Sequence, residues 1–486
     1  MSNYLTRRKS LTSLLSDASE SEKGLKRTLS STSLVALGIG AIIGAGLFSL
    51  TGIAAAENAG PAVTISFVLA GIGCAFAGLC YAEFASMIPV AGSAYTYSYA
   101  TMGEFMAWII GWDLVLEYAL GAATVGVSWS RYFLEFMSGL GIHFPASLVC
   151  GPFESVNLSN GTVIPPGIIN LPAVIIVSLL SLLLMRGTKG SSTINNVLVV
   201  VKVAIVLMFI GLGWKFINPA NYTPYIPENT GEFGHFGWSG IARGAAVVFF
   251  AFIGFDAVST AAQEAKNPQK GMPIGILGSL FVCTILYVLF AHVMTGLTPY
   301  TSFAGDAKPA ATAFAVTGYT FLLNFLIIAI LAGYTSVILV MLLGQSRVFY
   351  SMSHDGLLPK FFSDIHPKFR TPWKTNLFFA AFVSVFAGFV PISDLGHMVS
   401  IGTLLAFVLV CFGVLYMRKK MPDAKRAFKN PFVPIVPIFG ILVCLYLMTS
   451  LPLESWFRLI AWLIIGLIIY FVYGKKNSKL GTADQG

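Results

Sequence analysis

The chain has 486 residues, of which 56% are hydrophobic and only 10% charged, against about 25% charged in ordinary soluble proteins. So few polar groups cannot cover a water-facing surface, and most of the chain must face lipid. That excludes a cytosolic enzyme, a disordered scaffold and a soluble nucleic-acid binder, in spite of a net charge of +9.

Residues 1–30 are rich in Ser and Lys and lack the apolar core of a signal peptide, so they read as a cytosolic tail. A membrane helix needs about 20 mostly apolar residues. Twelve such runs follow, at 31–55, 62–87, 104–131, 168–185, 192–214, 241–262, 272–297, 320–346, 375–391, 395–417, 432–451 and 456–473. The alternation of a membrane barrel is missing, so the expectation is an all-α integral membrane protein with twelve transmembrane helices. Its transmembrane domain covers 31–474, and 475–486 form a second tail.

Within the first run, from Gly38 to Phe48, the residues Gly44, Ala45 and Gly46 fall at mid-span. A dinucleotide fingerprint does not fit, because the third glycine comes one residue late and no strand precedes it. Close helix packing through Gly40 and Gly44 is one reading. The other is an unwound segment that shows its backbone to a ligand. Glu83 ends the second run as a cap or gate group. In the third run, Asp113 and Glu117 stand four residues apart on one helix face. Lys202 lies about ten residues into the fifth run, about 15 Å deep at 1.5 Å per residue. That is near the midplane, too deep for its side chain to reach either surface fully.

The sixth run reads Phe249 to Ser259 with Gly254 and Asp256 at mid-membrane. Glu264 closes it as a further cap or gate group. His292, late in the seventh run, reads as structural. Each of Asp113, Glu117 and Asp256 either bonds backbone freed by a neighbouring break or joins a gate or proton network. Five of the six cysteines lie inside apolar runs, only Cys150 lies in a connection, and no CxxC pair occurs. The sequons at Asn157, Asn160 and Asn221 are short enough to arise by chance.

Lys and Arg set the orientation. Twenty-four of the 30 fall in the tails and loops on the side of the N-terminus, five on the other side, and Lys202 within a run. Both termini are therefore expected in the cytosol. Setting topology is enough to explain the basic loops, and they imply no nucleic-acid partner.

The first and sixth runs are separated by an odd number of spans, so they run antiparallel. Two interrupted helices in that relation are what an inverted-repeat transporter places at its midplane. The first N–H groups of the outer half of run one suit a carboxylate. The carbonyl ends of the inner half of run one and the outer half of run six suit an ammonium. A ligand with both groups on one carbon is an α-amino acid. The backbone of Ile42, Ile43, Gly44, Ala45 and Gly46, and of Phe250, Ala251, Phe252, Ile253 and Gly254, then forms the substrate site.

Four stretches carry a resemblance: Gly38–Phe48, Gly111–Tyr118, Phe249–Asp256 continuing to Gln269, and Arg347–Pro359. With them the chain resembles the amino acid–polyamine–organocation superfamily, and within it the cationic amino-acid transporters and their bacterial homologues, over roughly residues 30–470. The resemblance implies a five-plus-five inverted repeat of the leucine-transporter type. Repeat one covers about 31–214 and repeat two about 241–417, with two further helices at about 432–473. It also implies secondary transport of L-amino acids by alternating access in the plasma membrane. Ala45 stands where many relatives carry Thr or Ser, which alters the contacts open to a carboxylate.

In the wider fold a sodium ion sits between helices 1 and 8. The resemblance places the ammonium of Lys202 there, which implies a proton as coupling ion and no other cofactor. It aligns Met341 with a smaller residue in cationic-substrate members. If Met341 faces the cavity, small or medium neutral substrates such as alanine are expected over arginine and lysine. The alternatives are a cationic carrier or an exchanger. An ATP-driven pump is disfavoured because GxxxxGK[ST] is absent and no soluble segment is long enough to hold such a domain. A membrane enzyme is disfavoured because His354, His366 and His397 lack metal spacing, and a channel would show no saturable uptake. No segment points to, or against, a small accessory membrane protein.

Overall fold

The computed structural model describes residues 7–9, 29–88, 93–157, 163–186, 191–306 and 308–480. The fold is built of helices. Among the described residues the strands are limited to one short hairpin, β1 (Val156–Asn157) against β2 (Val163–Ile164).

Each of the twelve apolar runs is helical, with altered limits. The first run yields α1 (Ser31–Ile42), started by Ser30, whose hydroxyl accepts the Ser33 amide at 3.1 Å. Winding resumes as a π-turn at Gly46–Leu50 and continues through Thr51–Ala54 and Ala55–Ala59. Then come α2 (Val63–Met87), α3 (Ser93–Thr101), α4 (Glu104–Gly139), α5 (Leu171–Arg186) and α6 (Ser191–Gly213). The sixth run gives α7 (Gly237–Val248), a 3₁₀ turn at Phe249–Phe252 and a 3₁₀ stretch at Asp256–Glu264. Nine residues is long for that tight winding, which marks strain or function.

The rest comprises α8 (Pro268–Leu297), α9 (Pro309–Ala315), α10 (Thr320–His354), α11 (Trp373–Phe389), α12 (Ile392–Lys420), α13 (Ile435–Ser450) and α14 (Leu453–Ile469). Apolar periodicity does not foretell α3 or α9, because neither is a membrane-length run. It also stops α4 and α10 short by about two turns, where their polar ends leave the apolar zone.

Eight helical stretches are long and apolar enough to cross a membrane. Four further apolar helices, α1, α5, α11 and α13, are shorter. Their outer faces are as apolar as their cores. Phe321, Phe325 and Ile328 form an exposed stripe on α10, and Ile460, Ile464 and Ile468 another on α14. Spacings of three and four residues put each set on one face, as a lipid-facing helix requires. Asp113, Glu117, Lys202 and Asp256 point the other way, each at most 2% exposed.

Inside, α8 packs on α1 and α2, α4 lies between α10 and α12, and α5 pairs with α11. Glu83, fully buried at the end of α2, accepts both Nε and Nη2 of Arg418 at 2.8 Å, Arg426 Nε at 3.2 Å and the Asn430 amide at 2.9 Å. It therefore ties α2 to the end of α12 and the loop beyond. Near the same end, Asp355 takes Lys9 Nζ at 2.9 Å and the Tyr95 hydroxyl at 2.8 Å. Glu104 takes the hydroxyls of Tyr99 and Tyr470, each at 3.1 Å, and that of Ser478. The described segments around Lys9 and Ser478 therefore fasten to one face.

Candidate functional site

The break after α1 begins where Ile43 leaves helical geometry (φ −69°, ψ 107°). Helical bonding restarts with the amides of Leu47 and Phe48, both donating to the Gly44 carbonyl, at 3.1 and 3.3 Å. The amides just ahead of Leu47 belong to the start of the resumed helix, where a preceding helical turn is missing. The sixth run opens at Ile253 (φ −60°, ψ 138°) and Gly254 (φ 111°). A positive φ of that size is open to glycine and strained for any other residue.

The two breaks touch through backbone. A Cβ added at Gly46 would lie 2.2 Å from Ala251 Cα, and one at Gly254 would lie 2.9 Å from the Ala41 carbonyl oxygen. Gly44 is less confined, with Val337 Cγ2 at 3.3 Å from the same construction. Ile42, Ile43, Ala45, Gly46, Phe250, Ala251, Phe252 and Ile253 are all buried. The structure thus brings together the two segments read from the sequence as the substrate site.

Tyr287 on α8 joins them, a residue that apolar periodicity alone could not single out. Its hydroxyl lies 3.0 Å from the Ile42 carbonyl and 2.9 Å from the Ala251 carbonyl. These are the carbonyl ends at the two breaks. One hydroxyl proton is shared between two acceptors, and each carbonyl oxygen has a second lone pair that can face a cation. Phe67 and Phe252 pack edge-on or tilted against the tyrosine ring at 5.5 and 5.3 Å and fix it. On the other side of the first break, Tyr132 donates to the Phe48 carbonyl at 2.8 Å, and Ser49 and Tyr334 share a hydrogen bond at 2.9 Å.

Lys202 reaches the inner half of the first run. Its Nζ donates to the Gly40 carbonyl at 2.7 Å and lies 3.3 Å from Ser336 Oγ on α10. The stem crosses Gly333, where a Cβ would lie 3.1 Å from Lys202 Cε. No carboxylate pairs with it among the described residues. Its ammonium therefore joins α6, α1 and α10 through neutral groups only.

Below the sixth-run break lies an acidic group. Asp256 Oδ2 accepts the hydroxyls of Tyr118 and of Ser93, the latter at 3.2 Å. Glu117 interacts electrostatically with Asp256 and Asp113. The carboxyl groups of Glu117 and Asp113 and the hydroxyls of Tyr81 and Tyr97 are buried there too. Asp113 is set against Gly402 of α12, where a Cβ would lie 3.3 Å from Oδ1.

Met341 on α10 is 4% exposed, and its sulfur lies 2.8 Å from where a Cβ at Gly121 of α4 would sit. It fills the slot between these helices. His292 stacks on Tyr222 at 4.8 Å, and its carbonyl accepts the Tyr222 hydroxyl at 2.7 Å. Asn221 donates its amide to the Gly296 carbonyl at 2.7 Å. The side chains of Glu264 and Asn157, and the sequon at Asn160, lie outside the described residues. Among the described residues no group of three His, Cys, Asp or Glu side chains could hold a metal ion.

Comparison with known proteins identifies the family. The family model described as amino acid permease matches residues 29–472. The chain is 47% identical to a branched-chain amino acid permease of Bacillus subtilis, over 99% of this chain and 100% of that protein. It is 42% identical to a methylthioribose transporter of the same organism, over 98% and 99%. It is 31% identical to vacuolar cationic amino acid transporter 4 of Arabidopsis thaliana, over 99% and 97%.

Proposed function

The chain belongs to the amino acid permease family and transports amino acids across a membrane; from that premise we propose that it is a proton-coupled secondary carrier of small or medium neutral L-α-amino acids. The observation that carries this reading is the pairing of the two breaks. Amide groups of the resumed first helix and the carbonyls of Ile42 and Ala251 meet around Gly46 and Tyr287. Such a site offers donors to a carboxylate and acceptors to an ammonium without using a charged side chain.

The carrier has the twelve-helix, five-plus-five inverted-repeat architecture, with both termini in the cytosol and the plasma membrane as its location. Access alternates between the two sides. Lys202 is the coupling group, because its ammonium sits on a carbonyl of the first broken helix, where loss of a proton would remove the charge assistance and weaken its hold on that helix. Glu117 and Asp256 form the inner gate or proton network. Met341, lying between α4 and α10, restricts the length of the substrate side chain, and the 47% identical relative, named for neutral branched-chain substrates, supports the neutral reading.

The test is uptake by the purified protein in liposomes under an imposed pH gradient. Saturable accumulation of alanine or leucine, unaffected by sodium, is expected. Arginine competing as well as serine would replace the neutral assignment with the cationic one, and selective competition by methylthioribose would overturn the amino acid site.

A further inference from the structure

Helix α3 is an unusual occupant of a protein interior. Seven of its nine residues, Ser93 to Thr101, carry hydroxyl groups, yet all nine are buried. The helix packs on α4, on α12 and on the Asp256–Glu264 stretch. Its first residue, Ser93, donates to Asp256 Oδ2 at 3.2 Å, just past the sixth-run break. Ser93 sits at φ 53°, a conformation that costs a serine energy and persists only where the surroundings enforce it. From there α3 runs about 12 Å, at 1.5 Å per residue, toward the face that the Lys and Arg count assigns to the cytosol.

The described tail segments cross α3 at that face. The Arg7 carbonyl accepts the Glu104 amide at 2.8 Å, and the Lys9 amide donates to the Tyr99 carbonyl at 3.3 Å. Arg8 lies over the Tyr416 ring of α12 and donates to its hydroxyl. Lys9 Nζ reaches Asp355, at the end of α10, at 2.9 Å, with the two side chains 14% and 11% exposed. From the other tail, the Lys479 amide donates to the Asp355 carbonyl at 3.1 Å, and Ser478 donates to Glu104. The two acidic residues that receive the tails also hold α3, Asp355 through the Tyr95 hydroxyl and Glu104 through that of Tyr99. Residues 7–9 thereby tie together the inner ends of α3, α4, α10 and α12.

We propose that the tails form an autoinhibitory strap that holds α3 shut across the inner route from the sixth-run break, and that the carrier opens to the cytosol only after Lys9 leaves Asp355. This rests on the alternating-access reading given above. A hydroxyl-rich helix suits the part. Ser93, Tyr95, Tyr99 and Thr101 donate to protein acceptors while the strap is in place. Released, they exchange those bonds for bonds to water at little net cost, whereas an apolar helix would resist wetting.

The test is labelling of the full chain in nanodiscs by a membrane-impermeant maleimide. Ala94→Cys places a thiol at a fully buried position of α3, read from the mass of the peptide that contains position 94. The six native cysteines are buried. Labelling is expected to be slow, and Lys9→Gln in the same background should speed it about fivefold, as loss of one largely shielded ion pair implies. Removal of residues 1–9 should speed it at least as much, and Lys9→Arg should restore slow labelling. Ala100→Cys, near the other end of α3, is the second reporter should Ala94→Cys fail to fold. An unchanged rate in Lys9→Gln would overturn the proposal. So would labelling as fast in Lys9→Arg as in Lys9→Gln, or an acceleration matched by a lower melting temperature, which is general loosening. The readout uses neither substrate nor proton gradient, so its failure is distinct from failure of the neutral, proton-coupled assignment.

Discussion

Replacing Gly46 by alanine adds a single carbon at the closest approach in the site. That carbon would stand 2.2 Å from Ala251 Cα, 2.5 Å from its Cβ and 2.6 Å from its amide nitrogen. Carbon atoms need about 3.5 Å, so the two breaks must part by more than about 1 Å. The obstacle is backbone and has no rotamer to change. Overpacking of this kind costs about 1–3 kcal/mol in stability. Misaligning one charge-assisted bond to the ligand costs about 1.5–3 kcal/mol more, which is at least tenfold in affinity. Calorimetric binding of alanine or leucine to purified Gly46→Ala should therefore weaken by at least about tenfold. Two companions calibrate the result. Gly44→Ala meets only the tip of Val337 at 3.3 Å and should bind within a fewfold of the unmodified protein. Gly211→Ala, exposed on α6 with nothing within 4 Å of its added carbon, should be neutral or slightly stabilising. Unchanged affinity in Gly46→Ala, with melting temperature also unchanged, would refute the interlocked breaks.

Lys202→Ala should fold and still bind substrate but lose accumulation driven by a pH gradient; sodium-dependent uptake by the unmodified protein would sink that assignment. Met341→Ser should admit longer side chains and reduce alanine uptake only modestly, read by competition with lysine and arginine. Tyr287→Phe leaves the Ile42 and Ala251 carbonyls without their shared donor and should cost about 1–3 kcal/mol of stability, measured by thermal unfolding in detergent. Glu83→Gln strips the charge from a carboxylate facing Arg418 and Arg426, the latter only 4% exposed. A loss of about 3–5 kcal/mol is expected, and an unaltered melting temperature would show the triad to be dispensable.

Much of this arrangement is legible in the sequence. The breaks declare themselves because Gly44 and Gly46, and Gly254 with Asp256, interrupt otherwise apolar runs. Lys202 stands out because lipid excludes such a residue unless it has a partner. The partners themselves are less legible. Tyr287 and Ser336 are ordinary residues in ordinary apolar helices, and only tertiary packing brings the first to Ile42 and the second to Lys202. Glu83 reads as a cap because its counterions lie 335 and 343 residues further on. The helix limits erred where polarity rises before winding stops, as at the ends of α4 and α10. Helix α3 escapes notice because Ser93–Thr101 is neither membrane-length nor strongly apolar.

The interlocking of the breaks has a mechanical consequence. With Gly46 seated on Ala251, Gly254 on the Ala41 carbonyl, and one tyrosine of α8 linking both, the two interrupted helices cannot slide past each other without unseating their own backbone. They behave as one stiff piece, and α8 and α2 travel with them. Sliding must then occur where contact is made by side-chain ends that can re-seat, as where Met341 rests on Gly121 and the Tyr118 ring on Gly344. The α4–α10 seam is such a surface. Probes placed across it, on α4 and α10, would report the motion that probes on the two broken helices would miss.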